Sequence, residues 1–267
     1  MKVVAHQDTW DPAQYERFRA ERSQPFFDLL GLVARVPGMR VVDLGAGTGE
    51  WTRHLHVTLG AATTLGLDRS DAMLASASKL DASPVASTGL SFAKGDIGAW
   101  CAEDHEARDG YDLIFSNAAL HWVRSHETLL AGLTRALRPR GQLAVQVPAN
   151  FDHPTHRIAS ALAREPEFAI ELAGPHVLPP EAYATLLHRL GYVEQHVRLQ
   201  VYAHALPSRA DVVEWVKGTT LTEVQARLSQ RQFESFLRQY RERLYAVLPD
   251  ERPFFYPFKR ILFWART

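Results

Sequence analysis

Apolar and polar positions alternate along this 267-residue chain in two recurring patterns. Short runs rich in aliphatic and β-branched residues, at 39–44, 62–68, 90–94, 111–116 and 142–147, are separated by stretches whose apolar residues recur at helical spacing. That alternation predicts a parallel sheet covered by helices, because parallel neighbours need a crossover and a helix supplies it. Each crossover should be right-handed. Arg138-Pro139-Arg140-Gly141 predicts a break between the last of these helices and the fifth strand. Beyond it, 180–190 predicts a helix, 193–206 a long strand, and 258–266 its antiparallel partner. The segment 208–248 reads as mostly helical, with Val212, Val213, Trp215 and Val216, then Phe233, Phe236, Leu237, Tyr240 and Leu244, forming a stripe that belongs to a core. The expected architecture is one α/β domain over 1–267, built on a doubly wound, seven-stranded, mostly parallel sheet. An N-terminal lid over 1–30 and a helical cap insertion over 208–248 complete it.

The first strand ends in Val41-Val42-Asp43-Leu44-Gly45-Ala46-Gly47-Thr48-Gly49, where an apolar run stops at an acid and opens into glycines spaced G-x-G-x-G. A strand that ends this way and restarts as a helix brings bare backbone N–H groups beside a ligand. Two more acids follow at the ends of the next strands: Asp68 closes Thr64-Leu65-Gly66-Leu67-Asp68, and Asp96 follows Leu90-Ser91-Phe92-Ala93-Lys94-Gly95. An acid after the second strand suits a ribose, whose two hydroxyls donate to one carboxylate. That logic serves NAD and S-adenosylmethionine alike. Each acid also fits a helix N-cap, Asp68 before Arg69-Ser70 and Asp96 before Ile97-Gly98.

Composition narrows the partners. Thirty basic residues balance thirty acidic ones, giving a formal charge of zero, whereas a nucleic-acid partner calls for a basic excess. Cys101 is the sole cysteine, which excludes an internal disulfide and a cysteine-based metal cluster and reads as a buried, inert thiol. His153 and His156 have i, i+3 spacing but lack a nearby third ligand, so no metal is expected. The first residues lack an apolar signal core and no stretch has the length of a membrane span, which makes a cytoplasmic protein with no membrane partner the expectation.

The glycine loop with its preceding acid resembles motif I of class I S-adenosylmethionine-dependent methyltransferases, and longer stretches resemble one family of them, the trans-aconitate 2-methyltransferases. Trp10-Asp11-Pro12-Ala13-Gln14-Tyr15 and Ala20-Glu21-Arg22-Ser23-Gln24-Pro25 are similar to that family's N-terminal segment. Tyr111-Asp112-Leu113-Ile114-Phe115-Ser116-Asn117-Ala118-Ala119-Leu120-His121-Trp122 and Leu143-Ala144-Val145-Gln146-Val147-Pro148-Ala149-Asn150 are similar almost residue for residue. So are Pro154-Thr155-His156, Leu178-Pro179-Pro180-Glu181-Ala182-Tyr183 and Val213-Glu214-Trp215-Val216-Lys217-Gly218-Thr219. The family's G-L-R-P after the last of these is absent, since Leu221 is followed by Thr222-Glu223. Asn117-Ala118-Ala119-Leu120 also differs from the N-P-P-aromatic loop of amino-methylating DNA enzymes.

The resemblance implies a Rossmann-like fold and transfer of a methyl group from S-adenosylmethionine to a carboxylate of a small polycarboxylic acid, with S-adenosylhomocysteine as product. It implies that Asp43, Gly45, Gly47, Gly49, Asp68, Asp96, Ile97 and Asn117 bind the cofactor, with Asp96 and the Ile97 N–H on the adenine ring. Arg22 is assigned to the carboxylate of S-adenosylmethionine or to the acceptor acid. Trp10, Tyr15, His121, Trp122 and Arg260 are the expected acceptor-binding residues, and Lys259 is a further candidate cation. Arg22 also reads as a solvated charge, Trp122 as packing beneath the next helix, and His121 as a structural histidine. No general base is expected, because a carboxylic acid with a pKa near ~4 is already ionised at neutral pH. The acceptor alternatives are a malonyl thioester or another short diacid. An NAD-dependent oxidoreductase and a catalytically silent cofactor-binding protein are the remaining readings.

Overall fold

A computed structural model of the chain describes residues 19–81, 88–103, 110–172, 174 and 176–267. Helices and strands alternate through the first half: α1 (Arg19–Leu30), β1 (Arg40–Leu44), α2 (Glu50–Leu59), β2 (Thr63–Asp68), α3 (Asp71–Asp81), β3 (Leu90–Lys94), α4 (Ile97–Cys101) and β4 (Tyr111–Asn117). A 3-10 turn (Leu120–Trp122), α5 (His126–Arg135), β5 (Leu137–Pro148), α6 (Pro154–Ala163), α7 (Pro180–Arg189) and β6 (Glu194–Leu206) come next. The chain then forms α8 (Arg209–Lys217), α9 (Thr220–Gln225), α10 (Gln230–Val247) and β7 (Phe254–Arg266).

The seven strands form one sheet in the order β3-β2-β1-β4-β5-β7-β6. β1 to β5 pair in parallel, and β7 runs antiparallel to β5 from Gln142 opposite Arg266 to Pro148 opposite Arg260. The Val193 N–H donates to the Arg266 carbonyl, so the start of β6 meets the end of β7, as expected of antiparallel partners. β7 begins at Phe254, earlier than the pattern alone suggested. Val41 to Leu44, Leu113 to Ser116 and Gly141 to Val147 are buried without interruption, the mark of strands covered on both faces. Strand order reverses direction between β1 and β4, which makes their carboxyl ends the place where ligands bind in folds of this kind.

The break expected at Arg138–Gly141 is not a break. β5 starts at Leu137 and carries all four residues inside it. Arg140 takes a left-handed φ of 66°, and the pairing with β4 shifts register between Tyr111 and Leu113, so proline and glycine here accommodate a strand irregularity.

Two compact units emerge. The larger contains Arg22–Pro148, His176–Gln200 and Arg260–Thr267, and holds most of the sheet. Within it, Phe26 of α1 is fully buried and its ring lies 4.9 Å from Trp51 at the start of α2 and 5.5 Å from Phe115 of β4. Tyr183 of α7 is also fully buried, stacking 4.7 Å from Phe263. Its hydroxyl donates to His126 Nδ1 at 2.5 Å, while His126 Nε2 donates to the Leu120 carbonyl at 3.0 Å. This network assigns a neutral imidazole, and burial holds the His126 pKa below its usual value in agreement.

The second unit includes Ala149–Pro175 and Val201–Lys259. Serines open two of its helices with reciprocal capping boxes, Ser208 with Asp211 for α8 and Ser229 with Gln232 for α10. The stripe expected to be core is core: Phe236, Tyr240 and Leu244 of α10 are fully buried together with Val212, Val213 and Val216 of α8. The Arg209 guanidinium donates to the Tyr245 and Leu248 carbonyls and so closes the end of α10. His153 is the N-cap of α6, outside the helix, so the i, i+3 spacing with His156 does not place the two rings on one helical face. Both rings hydrogen-bond Thr155 Oγ1, and burial pushes the His156 pKa down to about 4.

Tyr183→Phe removes the only donor that this network offers to His126 Nδ1, leaving a buried nitrogen unsatisfied. The variant is expected to lose about 1–3 kcal/mol of stability, read from urea unfolding. An unchanged midpoint would mean that the phenol serves as packing alone.

Candidate functional site

The glycine loop takes its shape from the strands on both sides of it. The N–H groups of Gly45 and Ala46 both donate to the Leu67 carbonyl of β2, at 2.8 and 3.0 Å, and the Ser116 hydroxyl of β4 donates to the Leu44 carbonyl at 2.8 Å. All three loop glycines have left-handed φ angles, 87° at Gly45, 56° at Gly47 and 77° at Gly49. Their surroundings differ. A Cβ on Gly45 would lie 2.2 Å from the Ala119 methyl, and one on Gly49 would lie 2.7–2.9 Å from Phe92 and Ala77. A Cβ on Gly47 would meet nothing within 4 Å. Gly45 and Gly49 are therefore demanded by packing, whereas Gly47 keeps its backbone bare toward open space, as close approach by a ligand requires.

Asp68 ends β2 beside that open side. Its Oδ2 accepts from the Gly47 N–H at 2.8 Å and its Oδ1 from the Ser70 N–H at 2.9 Å. A carboxylate has about four acceptor positions, so two remain for ligand hydroxyls. Asp68 is not the cap of α3; Ser70 is, accepting from the Met73 N–H. Asp96 does cap its helix, accepting from the Ala99 N–H at 3.0 Å, and it is exposed, with Ile97 half-buried at the first position of α4. Asp43 lies beneath the loop, buried, with the Thr52 hydroxyl donating to it at 2.6 Å. Burial pushes its pKa up to about 7; the Thr52 hydrogen bond opposes that shift and the nearby Asp68 charge adds to it.

The segment after β4 completes the arrangement. Asn117 is half-buried and its Oδ1 is buried with no hydrogen-bond partner among the described residues. Ala118 adopts a φ of 56°, rare for a residue with a side chain, and its N–H donates to the Gln146 carbonyl at 2.9 Å. Ala119 rests on Gly45, and the 3-10 turn carries His121 and Trp122 with ring centroids 4.7 Å apart. Trp122 remains 37% exposed, more than packing beneath α5 would leave. The His126–Tyr183 pair holds this turn through the Leu120 carbonyl.

Arg260 of β7 is 5% exposed and its Nη1 donates to Gln146 Oε1 at 3.4 Å. Lys259, in the second unit, forms an ion pair with Asp152. Cys101 is buried with its pKa pushed up to about 12 by burial first and then by the Asp96 charge, the inert thiol that was expected. Trp10 and Tyr15 lie outside the described residues, and so does the side chain of Arg22, one helical turn before Phe26. The structure thus brings together Asp43, the glycine loop, Asp68 and Asn117 around the ends of β1, β2 and β4. Sequence reasoning overlooked Gln146, His126 and Tyr183. Gln146 carried a signal, being a polar residue inside the apolar run Leu143-Ala144-Val145-Gln146-Val147.

Known proteins supply an independent comparison. The methyltransferase domain family matches residues 35–182. Trans-aconitate 2-methyltransferase of Deinococcus radiodurans is 43% identical over 267 residues, covering 96% of this chain and 98% of that one. The enzyme of the same name from Streptomyces avermitilis is 39% identical, covering 95% of each. Among solved structures, the YcgJ protein of Bacillus subtilis superposes with a TM-score of 0.59 at 14% identity, covering 92% of this chain and 98% of that one. Haemonchus contortus phosphoethanolamine N-methyltransferase 2, in complex with S-adenosyl-L-methionine, gives 0.57 at 17% identity, covering 99% of this chain and 60% of that one. At such identities these two likenesses concern the fold alone.

The buried Asp43 carboxyl has a pH signature. In the unfolded chain it ionises near its ordinary value of 3.8, whereas in the fold it holds its proton to about pH 7. The folded state therefore binds more protons across that window, and this residue's contribution to stability falls as pH rises through it. Asp43→Asn keeps an acceptor for Thr52 and removes the charge. Thermal unfolding of the variant should match the parent near pH 4 and exceed it at pH 8; parallel curves throughout would refute the raised pKa. His156 acts in the opposite sense in both proteins, its contribution fading as pH falls from 6.5 toward about 4, and so cancels in the difference.

Proposed function

The chain belongs to the trans-aconitate 2-methyltransferase family of S-adenosylmethionine-dependent methyltransferases, and from that premise we propose that it esterifies one carboxylate of trans-aconitate. Family membership also decides between the two cofactors that the glycine loop and Asp68 suit: the cofactor is S-adenosylmethionine, and the oxidoreductase reading is set aside. The observation that carries the proposal is the Gly47 backbone, bare toward open space and held by the Asp68 carboxylate, with Asn117 Oδ1, unpartnered among the described residues, at the end of β4, the strand that pairs with β1.

When bound, S-adenosylmethionine supplies a methyl group on a sulfonium sulfur, an electrophile that needs no further activation. Asp68 accepts the two ribose hydroxyls while its other lone pairs hold the Gly47 and Ser70 N–H groups, so cofactor and loop share one anchor. Asp96 and the Ile97 N–H take the adenine edge, Asp96 using the acceptor capacity left after capping α4. Gly45, Gly47 and Gly49 line the loop and Asp43 fixes it from below through Thr52. Asn117 Oδ1 accepts from a donor of the amino-acid end, and Arg22 pairs with its carboxylate or with the acceptor.

On the acceptor side, a carboxylate is its own nucleophile at neutral pH, so the protein's part is orientation and the exclusion of water. Trp10, Tyr15, His121, Trp122 and Arg260 are the residues proposed to do this. Arginine suits the role because its planar fork pairs with carboxylates and stays charged when buried. The lid over 1–30 and the cap over 208–248 belong to the same proposal, since a charged nucleophile must lose its hydration before attack. The substitution of Leu221-Thr222-Glu223 for the family's G-L-R-P favours a second reading, in which the acceptor is another short diacid or a malonyl thioester. Cytoplasmic location is proposed on the same grounds; among the described residues no helix is long and apolar enough to cross a membrane.

Release of S-adenosylhomocysteine should be fastest with trans-aconitate in a panel of short di- and tricarboxylates that includes malonyl thioesters. A protein that turns over none of them would overturn the reading. Asp68→Ala leaves ribose donors unpaired, worth about 1–3 kcal/mol, so calorimetry should show tens-fold weaker binding of S-adenosylhomocysteine with the fold retained. Limited proteolysis should cut around residues 10–24 in the free protein and spare them with S-adenosylhomocysteine present. Equal cleavage would assign that segment to the static fold.

A further inference from the structure

The register of three strands gathers polar side chains on one face of the sheet. Asn117 of β4 is the Cα partner of Gln146 of β5, so their side chains leave the sheet on the same side. Gln146 in turn faces Leu262 of β7, and Arg260, two residues before Leu262, shares that side as a diagonal neighbour of Gln146. Two residues before Asn117, also on this side, Phe115 packs against Phe26 of α1, so this is the face that α1 covers. All three polar residues lie toward the carboxyl ends of β4 and β5, the end at which the glycine loop leaves the parallel strand β1.

Gln146 is fully buried in a strand whose neighbours Ala144, Val145 and Val147 are also fully buried. Its amide orientation is fixed by chemistry. A guanidinium can only donate, so the oxygen must face Arg260 Nη1, and the amide nitrogen must point away from it. That nitrogen carries two N–H donors and has no partner among the described residues. Buried donors are satisfied in native proteins as a rule, and a strand that needed only packing here would carry valine or leucine. A buried N–H pair with a guanidinium on its other side forms a cationic, donor-rich surface that suits an anionic oxygen group, and in a carboxylate-methylating enzyme that group is a carboxylate. Asn117 Oδ1, an acceptor on the adjacent strand, adds the opposite polarity beside it.

We infer that Gln146 is an acceptor-binding residue whose carboxamide N–H, oriented by Arg260, holds a carboxylate of the acid that is methylated. This rests on the carboxylate-methylating reading above and adds to it the residue that recognises the substrate's charge. Arg260 acts here both by its field and by turning the Gln146 amide. A polycarboxylate gains from this subsite because one carboxylate sits on it while another is presented for reaction, so an acid with a single carboxylate forgoes the contact.

Gln146→Glu is the discriminating variant, since it preserves size and the acceptor that faces Arg260 but replaces the donor pair by an anionic oxygen. Gln146→Met removes both functions and keeps apolar bulk. Measured by S-adenosylhomocysteine release, KM for trans-aconitate should rise at least about ten-fold in either variant, the scale of one lost charge-assisted hydrogen bond, and more in Gln146→Glu. Calorimetric affinity for S-adenosylhomocysteine should stay within about two-fold, since the cofactor groups are untouched. The advantage of trans-aconitate over the monocarboxylate crotonate should shrink in both variants. An unchanged KM, or a matching loss of cofactor affinity, would overturn the assignment. Should the parent protein fail to methylate trans-aconitate, the functional reading falls separately, and calorimetric titration with succinate and citrate in the presence of S-adenosylhomocysteine takes over. An acid that binds parent and variants alike, or no acid binding the parent, would remove the subsite.

Discussion

The site depends on one close approach, the backbone of Gly45 against the methyl of Ala119. The ideal Cβ position on Gly45 lies 2.2 Å from that methyl, a separation no side chain tolerates. This contact presses the loop after β1 onto the segment after β4. The Gly45 and Ala46 N–H groups on Leu67 then draw in the end of β2. Three strand ends that are remote in sequence thereby present one surface, and Asp68, Gly47 and Asn117 fall on it. Ala118, with its left-handed φ, pays for that convergence in local strain, and its N–H finds the Gln146 carbonyl in return.

Electrostatics divide this surface into two territories. The side toward β2 and β3 is acidic, with Asp43 buried beneath the loop and Asp68 and Asp96 at successive strand ends, which suits a cofactor rich in hydroxyl and amino donors. The side toward β5 and β7 offers donors, namely the Arg260 guanidinium and the Gln146 amide. A sulfonium donor and the proposed carboxylate acceptor would need opposite surroundings, and the two sides of β4 differ in that sense. Burying Asp43 beneath the loop, with the Asp68 charge nearby, has a cost, visible in the raised pKa of Asp43, and the Thr52 hydroxyl offsets part of it.

Much of this organisation is local in origin and was therefore legible in the amino-acid order. Alternating strand and helix patterns determined the α/β class and five parallel strands to within a residue or two at most ends. The glycine spacing with its preceding acid, and the acids closing β2 and β3, marked the proposed cofactor position, because conformational freedom and charge at a strand end are properties of a few adjacent residues. The α10 stripe likewise declared itself as core through its helical period.

What only the tertiary structure decided were relations between residues far apart in the chain. Whether proline and glycine at Arg138–Gly141 end a strand or bend one depended on pairing with β4, which sequence does not encode locally. That Asp68 grips Gly47 while Asp96 caps its own helix, although both acids follow strands, depended on which loop lies beside each. His126 and Tyr183 are 57 positions apart, and Gln146 and Arg260 are 114 apart. Their partnerships arise from strand register and helix docking, which are settled by global packing. A lone glutamine in an apolar run announces only that something polar must meet it, and the fold alone determines what does.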